Sequence, residues 1–436
     1  MSVKTKSYLG FILVLCVILV VSACSSSNNK NNASSAPSPS SPSNAAGSNE
    51  KVSLKLWYWN GAISDSVIEA ARQKFPNVEL NAEKLPSGGD YLTKLKTTIS
   101  GGGSGPDIVA MDSWVASMLE YKEKFVNLYD HGARDIQSQY LDWKWKMAAD
   151  AKDEYLIGLP IDVAPVVLYY RGDVYEQAGL SSAPEDVKGQ IATWEDFFEL
   201  LKKVKDSTGT QTMTLVDVFR SIIGQNSEGF FDLEGNYIGD QEHIKRAWDL
   251  SVKAYQEGLT FPASNDSEIN ASLNNGAITS MIGASWVVGD LLGAAPDTNG
   301  KWKIAYPPGG VGNQGGSFFG VLKSTKYPQE AYDVLKFLLG PDNQIASYKE
   351  FGNYPSTPEI YDSPDMVNEH EFFGGQDLSA VFADAAKDVQ IPHTNANDDM
   401  VGNSLVESLK LVDVQKQDSE KAWTSAQDKI KRQLSR

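Results

Sequence analysis

The sequence predicts an α/β protein with two lobes, each built on a parallel-rich sheet flanked by helices. From residue 51 onward, short apolar runs alternate with stretches whose apolar residues recur at helical spacing. Repeated strand–helix–strand units of this kind are typical of a parallel sheet that is covered on both faces. Residues 51–436 are also too many for one simple hydrophobic core, which is why we expect two.

The predicted strands are short apolar runs bounded by turn residues, and they lie at 54–59, 78–82, 107–111, 166–170, 278–282 and 318–322. The predicted helices have apolar stripes and capping residues, and they lie at 65–75, 91–99 and 241–256, after Thr193, and from about Pro328. The chain from Leu378 onward is expected to be largely helical.

The N-terminus has the pattern of an export signal. Lys4 and Lys6 precede an apolar run over 9–21, which is shorter than the roughly 20 residues of a membrane-spanning helix. The run ends in Val21-Ser22-Ala23-Cys24, which resembles the bacterial lipobox. That resemblance implies that residues 1–23 are a lipoprotein signal peptide and that Cys24 is lipidated. A plain secretory signal with an incidental cysteine is the alternative.

Residues 24–50 consist mainly of Ser, Asn, Pro and Ala. Such a tract has too little apolar surface to offset the entropy of ordering, so we expect a flexible linker to the lipid anchor. The chain has two cysteines, Cys16 and Cys24, and Cys16 lies in the predicted signal peptide. Disulfides and zinc–thiolate sites are therefore excluded from the mature protein.

Composition narrows the range of partners. The formal net charge is −17, which argues against nucleic acid and against tight association with an anionic bilayer. The four histidines, His131, His243, His370 and His393, have no close ligand spacing, so a zinc-delivery protein is not expected. No cofactor is predicted.

In open α/β sheets, ligands bind beyond the carboxyl ends of the strands. This rule selects residues at or just beyond the ends of three predicted strands: Trp59 and Asn60, then Asp112 and Trp114, and finally Trp286.

The ordered motifs of the body resemble those of the family 1 extracellular solute-binding proteins. The motifs are LWYWNG at 56–61, GPDIV at 105–109, GLP at 158–160, LYYR at 168–171, YEQAGL at 175–180, TWEDF at 193–197, GAITSM at 276–281, YPQEA at 327–331 and GNYPS at 352–356. The resemblance implies a two-lobed fold of the periplasmic-binding-protein type (type II) with a ligand cleft between the lobes. It places the N-terminal lobe at 51–160 plus 317–357 and the C-terminal lobe at 161–316 plus 358–436.

The proposed cleft residues suit a sugar, which has apolar C–H faces and many hydroxyls. The indoles of Trp59, Trp114 and Trp286 can stack on the faces, and Asn60, Asp112 and Asp162 can bond the hydroxyls. By resemblance, Trp286 matches the family's sugar-stacking tryptophan, and Asp112 occupies a position where members use an acid. Packing in the core is the alternative for the tryptophans, backbone bonding for Asp162, and a turn role for Asn60.

Together these features predict a non-enzymatic, monomeric component of an ABC importer that binds a carbohydrate, such as an oligosaccharide, and delivers it to permease membrane subunits. It would be held by its lipid on the extracellular face of a Gram-positive cell membrane. Two alternatives stay open. One is a binder of a peptide, polyamine or osmolyte, and the other is a secreted glycoside hydrolase, which needs two carboxyl groups about 5–9 Å apart.

Overall fold

The computed structural model describes residues 51–102, 105–263, 265–392 and 394–435. The predictions for the signal peptide (1–23), for lipidation of Cys24 and for the linker (24–50) lie outside these residues. Across the described ranges, no helix is both long and apolar enough to cross a bilayer.

The strands of the described residues are β1 Val52–Tyr58, β2 Val78–Lys84, β3 Ile108–Met111, β4 Leu159–Pro160, β5 Asp162–Val163, β6 Val167–Arg171, β7 Gln211–Thr212, β8 Ile278–Gly283, β9 Trp302–Ala305, β10 Phe318–Val321, β11 Tyr354–Pro355, β12 Glu369–His370 and β13 Gln376–Asp377.

The α-helices are α1 Asp65–Lys74, α2 Gly89–Gly101, α3 Asp142–Lys146, α4 Gly172–Gln177, α5 Pro184–Gln190, α6 Trp194–Thr208, α7 Leu215–Ile223, α8 Glu242–Gln256, α9 Asp266–Asn275, α10 Val287–Ala294, α11 Pro328–Leu338, α12 Pro341–Phe351, α13 Leu378–Asp388, α14 Asp398–Val414 and α15 Ser419–Leu434. Helical 3₁₀ segments lie at Ser113–Lys124, which is kinked at Tyr121, and at Leu128–His131, Ala133–Gln139, Pro296–Thr298, Pro358–Ile360, Pro364–Met366 and Glu371–Phe373.

The first sheet has the strand order β2-β1-β3-β10-β4. Strand β1 pairs in parallel with β2 and β3, whereas β10 runs antiparallel to β3 and β4. Its core joins Leu56 of β1 and Phe318 of β10 to Leu95 of α2 and Leu335 of α11, all of them fully buried. Helices from distant parts of the chain therefore cover one sheet.

The second sheet has the order β7-β8-β6-β9. Leu168 and Tyr170 of β6 belong to one hydrophobic cluster, and Val167 and Tyr169 belong to another. Because successive side chains of a strand point to opposite faces, this sheet is covered on both sides. That double burial explains why β6 is apolar without alternation.

The α/β class and the two lobes are confirmed, but the sheets are mixed rather than parallel-rich. In the second sheet β6 runs antiparallel to both β8 and β9, and only β7 and β8 are parallel. The expectation that strand–helix–strand units give parallel strands applies to strands joined by a helical crossover within one sheet. It does not constrain β6 and β10, which the chain reaches by passing from one lobe to the other.

Three segments pass between the lobes side by side. The outgoing segment at 159–167 bonds to the return segment at 311–318 through Ile161 N to Ser317 O at 2.8 Å and Gln314 N to Ala164 O at 2.9 Å. A third segment contributes β11, which pairs antiparallel with β5. The lobes are therefore joined by a narrow bundle of extended chain.

Candidate functional site

A cavity of about 450 Å³ opens on the second lobe, beside the carboxyl end of β8. Trp286 and Asp290 line it from the start of α10, Asp217 and Arg220 line it from α7, and Asn313 lines it from the return segment. The wall thus combines one aromatic side chain with charged, amide and aliphatic side chains, and it includes residues of the outgoing and return segments.

Trp286 is the aromatic element of this wall. It immediately precedes α10, and 50% of its surface is exposed, whereas Trp145, Trp248 and Trp302 are fully buried. An exposed indole forgoes the stabilisation that burial would give it. Asp290 lies four residues further on, on the same face of α10. Its carboxylate has no hydrogen bond or ion pair within the described residues, and partial burial raises its pKa.

The polar side of the cavity is held by the first turn of α7. Thr214 caps this helix: its hydroxyl donates to Asp217 Oδ2 at 2.6 Å, and Asp217 N donates back to the hydroxyl at 3.3 Å. Val218 and Phe219 are buried beneath. Asp217 therefore has a fixed orientation on a packed helix, and Arg220 follows it by one turn.

In the first lobe, Trp59 and Trp114 lie on either side of Tyr91. The ring centroids of Trp59 and Tyr91 are 5.1 Å apart at 81°, and those of Tyr91 and Trp114 are 6.4 Å apart at 37°. Tyr91 is buried, and its hydroxyl donates to Trp57 O at 3.2 Å. Both flanking indoles are only partly buried. We refer to Trp59, Tyr91 and Trp114 as the first-lobe aromatic cluster.

Asn60 lies exposed in the turn that follows β1. One segment links this turn to the loop before Trp286: Asn353 Nδ2 donates to Gly61 O at 2.6 Å, and Ser285 Oγ donates to Gly352 O at 3.0 Å. The loops that carry the predicted residues of both lobes are therefore anchored to the same two residues.

The two predicted acids both bond to the backbone. Asp112 Oδ1 accepts from Ser113 N at 2.6 Å and caps the following 3₁₀ helix. Asp162 Oδ1 accepts from Ser317 N at 2.5 Å, across the two crossing segments. Burial raises the pKa of Asp162, and the nearby ammonium of Lys144 opposes this rise.

The structure brings the predicted residues together in groups rather than in one wall. Trp286 lines the cavity, Trp59 and Trp114 share Tyr91, and the acids Asp112 and Asp162 both act electrostatically on Lys144. In addition, sequence reasoning missed several lining residues: Asp217, Arg220, Asp290 and Asn313. A Thr followed three residues later by an acid predicts the start of α7 at Thr214, but nothing in that pattern indicates which acid faces a cavity.

Within the described ranges, no group of three or more His, Cys, Asp or Glu side chains could hold a metal ion. The candidate site combines an indole with carboxylate, amide and guanidinium groups and with aliphatic side chains.

A family model described as bacterial extracellular solute-binding protein matches residues 66–374, which is more than half of the chain. The chain belongs to this family. The similarity extends to individual proteins.

This solute-binding protein is 28% identical over 369 residues to the lactose-binding protein of Rhizobium radiobacter, covering 78% of this chain and 83% of the relative. It is 24% identical over 371 residues to the arabinooligosaccharide-binding protein of Halalkalibacterium halodurans, covering 79% of this chain and 81% of the relative. The crystal structure of a family 1 extracellular solute-binding protein superposes with a TM-score of 0.83 at 28% identity, covering 87% of this chain and 99% of that one.

Proposed function

We propose that this solute-binding protein captures a carbohydrate between its lobes and delivers it to the membrane subunits of an ABC importer. The observation that carries the proposal is the exposed indole of Trp286 in the wall of a cavity that Asp217 and Asp290 also line. An indole stacks on the C–H face of a sugar ring, and carboxylates accept its hydroxyl hydrogens in short, strong bonds.

The size of the cavity supports a small oligosaccharide. A volume of about 450 Å³ lies in the range of ordinary small-molecule sites, roughly 300–1,000 Å³. The names of the relatives point in the same direction, since one binds lactose and another binds arabinooligosaccharides. We include Trp59, Asn60, Asp112, Trp114 and Asp162 as the first-lobe and crossover contacts that the ligand gains when the lobes close.

The lobe boundaries and the anchor are part of the same proposal. We assign 51–160 plus 317–357 to one lobe and 161–316 plus 358–436 to the other. Residues 1–23 would be removed, Cys24 would carry lipid, and 24–50 would tether the monomeric receptor to the outer face of a Gram-positive cell membrane.

Tryptophan emission during titration tests the binding proposal. The panel contains lactose, arabinotriose and maltose as sugars, with spermidine, glycine betaine and a dipeptide as non-sugar controls. We expect a saturable change with at least one sugar, and chromatography should recover that sugar intact. Saturable binding of a non-sugar solute alone would contradict the proposal, and cleavage of the sugar would point to a hydrolase.

A further inference from the structure

Lys144 is a buried cation for which the binding chemistry described above has no use. It lies in the short helix α3, and its side chain is fully buried. Within the described residues its ammonium makes one hydrogen bond, a long one of 3.4 Å to Gly315 O, and it lies 4.0 Å from the centroid of the Phe318 ring. Such a weakly bonded buried charge is costly unless a nearby charge compensates it.

The ammonium of Lys144 lies next to Gly316, where the absence of a side chain leaves room for it. A Cβ on Gly316 would lie 2.6 Å from Lys144 Nζ and 2.6 Å from Asp162 O, so a larger residue at this position would displace the lysine or the crossing segment. The lysine therefore reaches the bundle of chain that joins the lobes, directly beside the segment that carries Asp162.

The compensating charges are two predicted cleft acids. Among the described residues, Asp162 and Asp112 are the charged groups that act on Lys144, and Lys144 and Asp112 are those that act on Asp162. Asp162 keeps part of its surface open to solvent, and Oδ1 is held by Ser317 N. Asp162 is therefore a carboxylate fixed on the crossing segments, with a buried cation and a second acid close enough to act on it.

We propose that Lys144 is a positioning residue of the binding cleft, whose buried ammonium keeps Asp162 ionised and so able to accept hydroxyl hydrogens from the ligand. This inference rests on the proposed function, in which Asp162 contacts a sugar. A protonated carboxyl would donate one hydrogen bond instead, and it would lose the strength of the charge-assisted bonds.

The electrostatics agree with this geometry. Burial raises the pKa of Asp162, the like charge of Asp112 raises it further, and the charge of Lys144 is the largest opposing effect. Removal of the ammonium should therefore let the pKa of Asp162 rise further. Burial also lowers the pKa of Lys144, while both acids oppose that shift.

The first test needs no sugar. In the full chain labelled with ¹³C at the aspartate carboxyl carbons, loss of a resonance in D162N assigns Asp162, and a pH titration gives its midpoint. We expect the midpoint in K144M to lie at least one unit above that of the parent. K146M is the matched control, because Lys146 lies in the same helix but is solvent-exposed and paired with Asp142 at 2.6 Å. An Asp162 midpoint that is the same in K144M and the parent overturns the proposal.

The second test measures the consequence for binding, with lactose as the probe, from pH 5.5 to 8.5. One unit of pKa corresponds to a tenfold change in protonation. We therefore expect K144M to bind lactose about tenfold more weakly at the low end than at the high end, while K146M follows the parent. A merely structural role for Lys144 would weaken binding equally at every pH, which would also overturn the proposal. If the parent binds no sugar, the proposed function fails, and the carboxyl titration still decides the role of Lys144.

Discussion

At the scale of single residues, exposure is the property that separates Trp286 from the fully buried tryptophans Trp145, Trp248 and Trp302. We expect W286A to weaken sugar binding by about 2 kcal/mol, roughly 30-fold in Kd, because the truncation removes the stacking surface from the cavity wall. Titration calorimetry or tryptophan emission measures the change. L292A is the matched control, since Leu292 lies on the same helix, is exposed, and is not part of the cavity wall. Equal affinities of W286A and the parent would remove Trp286 from the site.

Gly316 gives a second prediction at this scale. Its φ of +84° lies in the left-handed region, and an added Cβ would meet Asp162 O and Lys144 Nζ. We expect G316A to lower the free energy of unfolding by about 1–3 kcal/mol in urea titrations. G189A is the control, because Gly189 lies in helix α5 with open space around its Cα, so alanine there should be neutral or stabilising. Equal stability of G316A and the parent would show that the crossing segments accommodate the methyl group.

The sequence predicts some of the site residues and misses others. Trp286 was predicted because it follows a strand, and it lines the cavity. Asp112 was predicted by the same rule, and its carboxylate caps a 3₁₀ helix. The rule gives the edge of the sheet where a residue lies, but the rotamer and the neighbouring backbone decide whether the side chain faces a ligand. The sequence does not indicate that Lys144 is buried, because a lysine in a Trp-Lys-Trp-Lys stretch is expected at the surface.

At the scale of elements, the start of α14 gives a pH-dependent prediction. Asp398 Oδ2 accepts from Asn395 N at 2.6 Å, whereas the buried Oδ1 has no partner within the described residues, and burial raises the pKa of Asp398 to about 6. Because this pKa is above its unfolded value, the folded state binds more protons. The contribution of Asp398 to the free energy of unfolding is fully present below about pH 4 and is lost as the pH rises to about 6.

We therefore expect D398N to remove that fall in the free energy of unfolding and to be more stable than the parent at pH 7, by about 1–3 kcal/mol. Urea titrations at pH 4, 5, 6 and 7 measure the difference. E242Q is the control, since it removes a charge from the first turn of another helix, α8, at an exposed position. A parallel pH profile for D398N and the parent would contradict the assignment.

Local signals predicted the helices better than the sheets. Thr193 was expected to cap a helix, and it forms a complete capping box with Asp196 at the start of α6. Capping and apolar periodicity act within a few residues, so they can be read along the chain. Strand direction in the second sheet depends instead on how β6 enters after the crossover. That contact is set by distant segments, and no local pattern encodes it.

At the scale of the whole molecule, the N-terminal prediction concerns residues outside the described ranges. If Cys24 carries the lipid anchor, C24A should appear in the culture medium rather than in the membrane fraction. The full sequence has a net charge of −17, and loss of Lys4 and Lys6 with the signal peptide would make the receptor more acidic, so it should have little affinity for an anionic bilayer. C16A is the control, since Cys16 lies within the predicted signal peptide and its substitution should leave the protein in the membrane fraction. Membrane retention of C24A would contradict lipidation at this residue.

The last prediction concerns closure of the lobes. The cavity wall comes from the second lobe and the return segment, while the first-lobe aromatic cluster presents two partly buried indoles that are not part of it. Half of the proposed contacts thus become available only if the lobes approach each other about the crossing segments, where Gly315 and Gly316 have φ values of +134° and +84°.

Saturating sugar should therefore reduce the radius of gyration measured by X-ray scattering, and it should raise the free energy of unfolding by about 2.7 kcal/mol at 100 times Kd. A W59A/W114A double variant should bind more weakly and close less, because its first lobe lacks the stacking surfaces, whereas W286A should lose affinity in the open form as well. Tight binding of sugar with an unchanged radius of gyration would contradict closure and would mean that the second lobe alone forms the site. The first-lobe aromatic cluster would then serve only to pack the hydrophobic core of the first lobe.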